Sequence, residues 1–195
     1  MTLTGSLTHS GIEITRDTGV PSLDDLGLAL SRTARFNGHT RKFWSVLDHS
    51  LFVERLAREL PFGHVNNIRQ RALRLAALLH DAHEAVTSDI STHFKTVSMR
   101  VVQAQLDVRI MEAYMPGGIN AYLALTPDVK SLDRRALLAE ALVLHPAISA
   151  GNVSHYFGDV PEPRDVRLLR KLVRQGPVDP IVFGGLYTEL ITSHP

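Results

Sequence analysis

An all-α, single-domain fold is what the sequence predicts, on three observations. Apolar residues recur at three- and four-residue steps in successive segments, most of them opened by Ser, Thr, Asn or Asp at a helix-capping position. No two segments alternate in the way a strand pair requires. The chain has 195 residues, 44% of them apolar, with no repeat and no low-complexity tract, which suits one domain over 1–195 with its own core.

The elements follow in order. Residues 1–21 mix Thr, Ser and Gly and read as an irregular arm, with one short edge strand around Gly11-Ile12-Glu13-Ile14-Thr15. Ser22 with Asp25 three residues on opens a helix that runs to about Arg35, broken by Asn37-Gly38. Ser45 with Asp48 opens the next, on which Val46, His49, Val53, Leu56 and Leu60 share a stripe; Pro61-Phe62-Gly63 ends it. Asn66 or Asn67 starts a third, apolar at Leu73 and from Leu75 to Leu79, that closes near Val86-Thr87-Ser88. A fourth spans about 96–115 and stops at Pro116-Gly117-Gly118. Thr126-Pro127-Asp128 places a cap and then a proline at the first helical position, so a fifth is expected from there to about Leu144. Residues 146–178 are loop-rich with a helical piece near 164–174, and Asp179-Pro180 introduces a last helix through Leu190.

Composition excludes several kinds of chemistry. There is no cysteine, hence no disulfide, thiolate metal site or thiol nucleophile. A net charge of +1 gives no field to recruit a nucleic-acid polymer. No secretory signal and no uncharged apolar run of spanning length is evident, so a cytoplasmic protein with no membrane contact is expected. The motifs G-x-S-x-G, G-x-x-x-x-G-K-[ST] and G-x-G-x-x-G are absent. The run His80-Asp81-Ala82-His83-Glu84 is not a zinc-peptidase helix, because Thr87 stands where the second histidine belongs.

Ten histidines remain to be explained. His49 lies on the apolar stripe of its helix, His80-Asp81 closes the most apolar segment of the chain, and Asp133 shares a face with Val129, Ala136 and Leu137. Polar groups on buried stripes must find partners. Two imidazoles and two carboxylates from three helices suit one divalent metal ion (Mn, Co, Fe, Zn or Mg) with positions left for water. Glu84 lies one turn past His80 and is placed to hold that water. The structural alternatives are ordinary: a hydrogen-bonded core histidine for His49, a salt-bridged Asp133, a helix-capping Arg35 or Asp89, solvated lysines.

A His, then a His-Asp pair, then a distant Asp, each on its own helix, resembles the HD-domain metal-dependent phosphohydrolases, whose core is a helical bundle. Arg35-Phe36-Asn37, Asp48-His49-Ser50, His80 to Ser88-Asp89, Lys95 and Lys130-Ser131-Leu132-Asp133 are similar to the small bacterial 5′-deoxynucleotidases of that family and to phage dATP triphosphohydrolases. The resemblance covers about residues 24–144. It implies His49, His80, Asp81 and Asp133 as metal ligands, with Asp81 and Glu84 catalytic. It implies that Arg35, Lys95 and Lys130 bind phosphate and that Asp89 accepts from the sugar 3′-hydroxyl. Phe36 stands where those enzymes carry a sugar-packing tryptophan. His83 reads as a neighbour of the site or a surface residue, while His9, His64, His145, His155 and His194 read as structural or exposed. The implied activity is hydrolysis of a deoxynucleoside 5′-monophosphate by a metal-activated water. A deoxynucleoside triphosphate is the second substrate, and a non-catalytic nucleotide-binding module or a helical interaction protein is the alternative of another kind. A homodimer is compatible with the chain.

Overall fold

Ser22, Ser45 and Thr96 each cap a helix through the side chain, accepting from the backbone N–H three residues on. Such a cap satisfies a donor that the helix cannot and is worth roughly 1 kcal/mol. The computed structural model that shows this describes residues 5–60 and 67–192. Its helices are α1 (Leu23–Arg32), α2 (Val46–Arg58), α3 (Asn67–Leu79), α4 (Glu84–Thr87), α5 (Val97–Tyr114), α6 (Gly118–Leu144), α7 (Val153–Phe157), α8 (Pro163–Gln175) and α9 (Ile181–Thr192). The expected stop at Pro61-Phe62-Gly63, the start at Asn66, and His64 and His194 lie outside the described residues. No helix among the described residues is long and apolar enough to cross a membrane.

The core is the meeting of α2, α3 and α6, with α1 and α9 across one side and α5 and α8 flanking α6. Phe52, Leu56, Leu73, Leu78, Leu79, Leu132 and Ala136 fill it. Burying one such leucine or phenylalanine is worth about 1.5–3 kcal/mol, so these stripes hold the three site-bearing helices together. Gly27 is required where α1 meets α9: a Cβ there would stand 2.6 Å from the Pro180 carbonyl oxygen.

Three expectations need correcting. The arm holds a pair of strands, β1 (Ser6–Leu7) antiparallel to β2 (Glu13–Ile14), too short for any alternation to show. The third helix ends at Leu79, and residues 80–83 turn before α4, which begins at Glu84. The helix before Leu144 begins at Gly118 rather than at Thr126, and Pro127 lies inside it. Proline cannot donate to the carbonyl four residues back. Here the Thr126 hydroxyl donates to the Tyr122 carbonyl oxygen at 3.1 Å, keeping a bond to the helix on the neighbouring turn.

Candidate metal centre and its cleft

α2 and the end of α3 lie side by side, and each offers one imidazole to the same point. His49 Nε2 is 3.3 Å from His80 Nε2. Asp81 Oδ2 stands 3.2 Å from His80 Nε2 and 3.6 Å from His49 Nε2. From α6, Asp133 Oδ1 reaches within 3.1 Å of His49 Nε2 and 4.0 Å of His80 Nε2. The four residues implied as ligands thus come together, three of them with donor atoms all within 4.8 Å of one another. The two histidines are buried, Asp81 is mostly buried, and Asp133 sits half-exposed at the mouth.

The outer nitrogens fix the rings. His80 Nδ1 lies 2.8 Å from the Ala77 carbonyl oxygen, which can only accept, so the neutral ring keeps its proton at Nδ1 and has its lone pair on Nε2. His49 Nδ1 lies 2.9 Å from Glu140 Oε1, with the same consequence. Two imidazole lone pairs face each other between carboxylates, a donor set that a divalent cation satisfies. Its negative charge is felt in the titration of both rings. Burial pulls His80 down, but Asp81 and Asp133 outweigh it and raise it to about 9. Burial and Arg35 oppose the His49 imidazolium, while Glu140 and Asp133 raise it overall. Burial likewise opposes the Asp81 carboxylate, yet His80, His49 and Arg35 hold it well below the usual range.

Glu140 escaped the sequence reading. It is fully buried on α6, two turns past Asp133, and takes the Trp44 indole N–H at 2.8 Å and the Arg35 guanidinium at 3.3 Å besides His49. The signal was present as a lone carboxylate between Ala139 and Ala141, seven residues from Asp133 and so on its face.

Arg35 is presented by a strained turn. Residues Arg35–Gly38 form a 3-10 turn in which Phe36 (φ 54°) and Asn37 (φ 51°) adopt left-handed conformations. A bulky residue there is an outlier that the surrounding structure must enforce. The Arg35 N–H donates to the Trp44 carbonyl oxygen at 2.9 Å and the Arg41 N–H to that of Leu144 at 2.8 Å, pinning the loop to α6. Arg35 then stands 3.6 Å from Asp89 and 3.9 Å from Asp81, and these carboxylates with Glu140 raise its pKa against the cost of burial.

The centre opens onto a cleft of about 860 Å³ lined by Arg35, Phe36, Asp81, Glu84, Asp89, Lys95, Asp133 and, across from them, residues of the 145–157 segment. Burial, then Asp81 and Asp89, push the Glu84 carboxyl up to about 9, while Lys95 at 3.8 Å from Oε1 opposes the rise. Asp89 is raised by burial and Asp81, against Arg35. Lys130, expected at a phosphate, is exposed on α6 and is not among the lining residues. His145, expected to be structural or exposed, lines the cleft with its ring 6.0 Å from that of Phe36, edge to face. His83 is buried, with Nδ1 2.8 Å from Asp107 Oδ1 on α5.

No protein-family profile matches the chain. Among curated proteins it is similar to an uncharacterized protein of Rhodobacter capsulatus, 31% identical over 176 residues, which is 88% of this chain and 86% of that one.

Proposed function

The chain belongs to one family with that Rhodobacter capsulatus protein, and from the chemistry of the site we propose that it is an HD-type, metal-dependent phosphohydrolase acting on a deoxynucleoside 5′-monophosphate. The observation that carries the reading is the pair of imidazoles with both outer nitrogens tied and both Nε2 atoms turned on Asp81 and Asp133, at the floor of a cleft that also holds Arg35 and Lys95. His49, His80, Asp81 and Asp133 would hold the ion. When bound, a divalent ion supplies a Lewis acid and lowers the pKa of water.

The chain's own groups do the rest. Arg35 meets two phosphoryl oxygens with its planar fork, and Lys95 adds a point charge. Both offset charge that develops as the water oxygen bonds to phosphorus and the bond from phosphorus to the sugar 5′-oxygen breaks. Glu84 Oε2 is buried and has no hydrogen-bond partner, so in its ionised form Glu84 accepts from the attacking water and takes its proton. The proton passes to the leaving 5′-oxygen, and the products are a nucleoside and inorganic phosphate. Phe36 packs on the sugar and Asp89 accepts from its 3′-hydroxyl.

A monophosphate is favoured over a triphosphate by the cation count. Of the basic residues lining the cleft, Arg35 and Lys95 face the site, whereas the Arg134 guanidinium is occupied by the Phe157 carbonyl oxygen and Lys130 stands outside. The test is phosphate release from a panel of deoxy- and ribonucleoside mono- and triphosphates with Mn²⁺ and Co²⁺. Release confined to monophosphates is expected. Release of triphosphate from a deoxynucleoside triphosphate would move the assignment, and stoichiometric ion with no turnover on any nucleotide would make the chain a binding module.

A further inference from the structure

We propose a second divalent-cation site, formed by Asp81, His83 and Glu84 with Asp107 behind it, beside the first and sharing Asp81 with it. Each of the three offers a donor atom, and these lie within 4.8 Å of one another. Nearness along the chain alone would make that unremarkable, but the hydrogen bonding around them is incomplete. His83 is 7% exposed and Glu84 4%. His83 Nε2 and Glu84 Oε2 are both sealed from solvent, and neither has a hydrogen-bond partner. Buried polar atoms are paired in the great majority of cases, so two unpaired atoms on adjacent residues point to one shared ligand.

The chemistry of that ligand follows from the free atoms. His83 Nδ1 faces Asp107 Oδ1 at 2.8 Å, which places the ring proton there and leaves a lone pair on Nε2. Glu84 brings carboxylate oxygens. Both ask for an electron-pair acceptor, and a carboxylate behind an imidazole is how proteins orient a histidine ligand. The first site has the same device, with Glu140 behind His49. A water molecule could donate to both atoms, but a divalent ion also offsets the charge that Asp81 and Asp107 gather. One imidazole with two carboxylates suits Mn²⁺ or a similar ion of mixed nitrogen and oxygen preference. The proposal rests on the functional reading above through Asp81 and Glu84, whose carboxylate has two oxygens, one for an ion and one for the attacking water.

The test titrates the metal-free full chain with Mn²⁺ alone, counting ions per chain and recording the electron paramagnetic resonance spectrum. Two ions are expected in the wild type, spin-coupled through the shared carboxylate, and one uncoupled ion each in His83→Ala and His49→Ala. Asp107→Asn should weaken the second ion by about 10–100-fold. It also decides the matter should His83→Ala fail to fold. A single wild-type ion that survives His83→Ala and is lost in His49→Ala overturns the second site and leaves the phosphohydrolase standing. Two ions retained in His83→Ala would likewise overturn it, and no ion in the wild type would sink both readings.

Discussion

Behind His49, on the inner wall of the site, Glu140 takes hydrogen bonds from three side chains and is sealed from water. Across the cleft, around Glu84, the groups are just as polar but lack such pairing. Glu84 Oε2 has no partner, Lys95 stands 3.8 Å off, and Asp89 touches Arg35 at no closer than 3.6 Å. A saturated network holds its members still, since moving one strands the others in low dielectric. An unsaturated one keeps its atoms available to something that arrives. The inner wall is therefore built to position and the outer wall to react, and the two should fail differently when cut.

The largest effect is expected where the walls meet. His49→Ala removes a donor that nothing else on α2 can replace, so the ion of the first site and turnover should vanish together, leaving at most the ion held by Asp81, His83 and Glu84, while the helices remain. Metal content by mass spectrometry beside the circular dichroism spectrum checks this, and an ion content equal to that of the wild type would break the shared site.

Next comes the outer wall alone. Glu84→Gln keeps the shape and loses the base, so the ion held by His49 and His80 should remain while kcat falls by on the order of 100-fold or more. The same variant tests the charge argument without any substrate. The Glu84 carboxyl sits at about 9 in the fold against an ordinary 4.5, so the fold favours its neutral form. That contribution is full below the ordinary value and is lost as pH rises through about 9. Glutamine cannot ionise. Metal-free Glu84→Gln should therefore match the wild type near pH 4.5 and exceed it increasingly toward pH 9, where even 1 kcal/mol is worth about 2–4 °C in Tm for a domain of this size. A constant gap across that range would mean that the carboxyl is not held neutral.

The inner wall should respond in affinity rather than in chemistry. Glu140→Gln still offers an oxygen to Trp44 but no negative charge to His49 or Arg35. A substituted partner behind a ligating histidine typically costs 10–100-fold in metal affinity, so Kd for Mn²⁺ should rise by about that factor. At saturating ion kcat should largely recover. A loss of kcat that excess metal cannot rescue would place Glu140 with the reacting groups and erase the distinction between the walls.

What the sequence made legible divides along similar lines. Ser22 and Ser45 announced their helices because a cap is a contact over three residues. His49, His80, Asp81 and Asp133 stood out because each puts a polar group on or beside an apolar stripe, an anomaly visible without knowing the partner. Glu140 was equally buried but offered only a carboxylate between alanines, and its partners Trp44 and His49 are 96 and 91 residues away. Pro127 misled because its local rule, a proline at the start of a helix, was overridden by α6 packing against α5 and α2. The wall at 145–157 was silent for a related reason. His145 and Phe157 matter through the cleft they close, not through any periodicity of their own.

The smallest effect tests whether the outer wall reads the sugar as well as holding the proton acceptor. Asp89 follows Ser88, whose φ of 63° turns the chain out of α4 and into the cleft. Its carboxyl is held by Arg35 alone at 3.6 Å among the ion pairs of the described residues, so it has oxygen lone pairs to give. If it accepts from a 3′-hydroxyl, Asp89→Ala should weaken kcat/KM for a 2′-deoxynucleotide and leave the 2′,3′-dideoxy analogue nearly unchanged, since that analogue never offered the bond. A hydrogen bond to a charged acceptor is worth roughly 1.5–3 kcal/mol, which sets the selectivity change at about tenfold or more. Equal losses on both substrates would mean that Asp89 serves only to hold Arg35. Its place would then be with Glu140, among the groups that position.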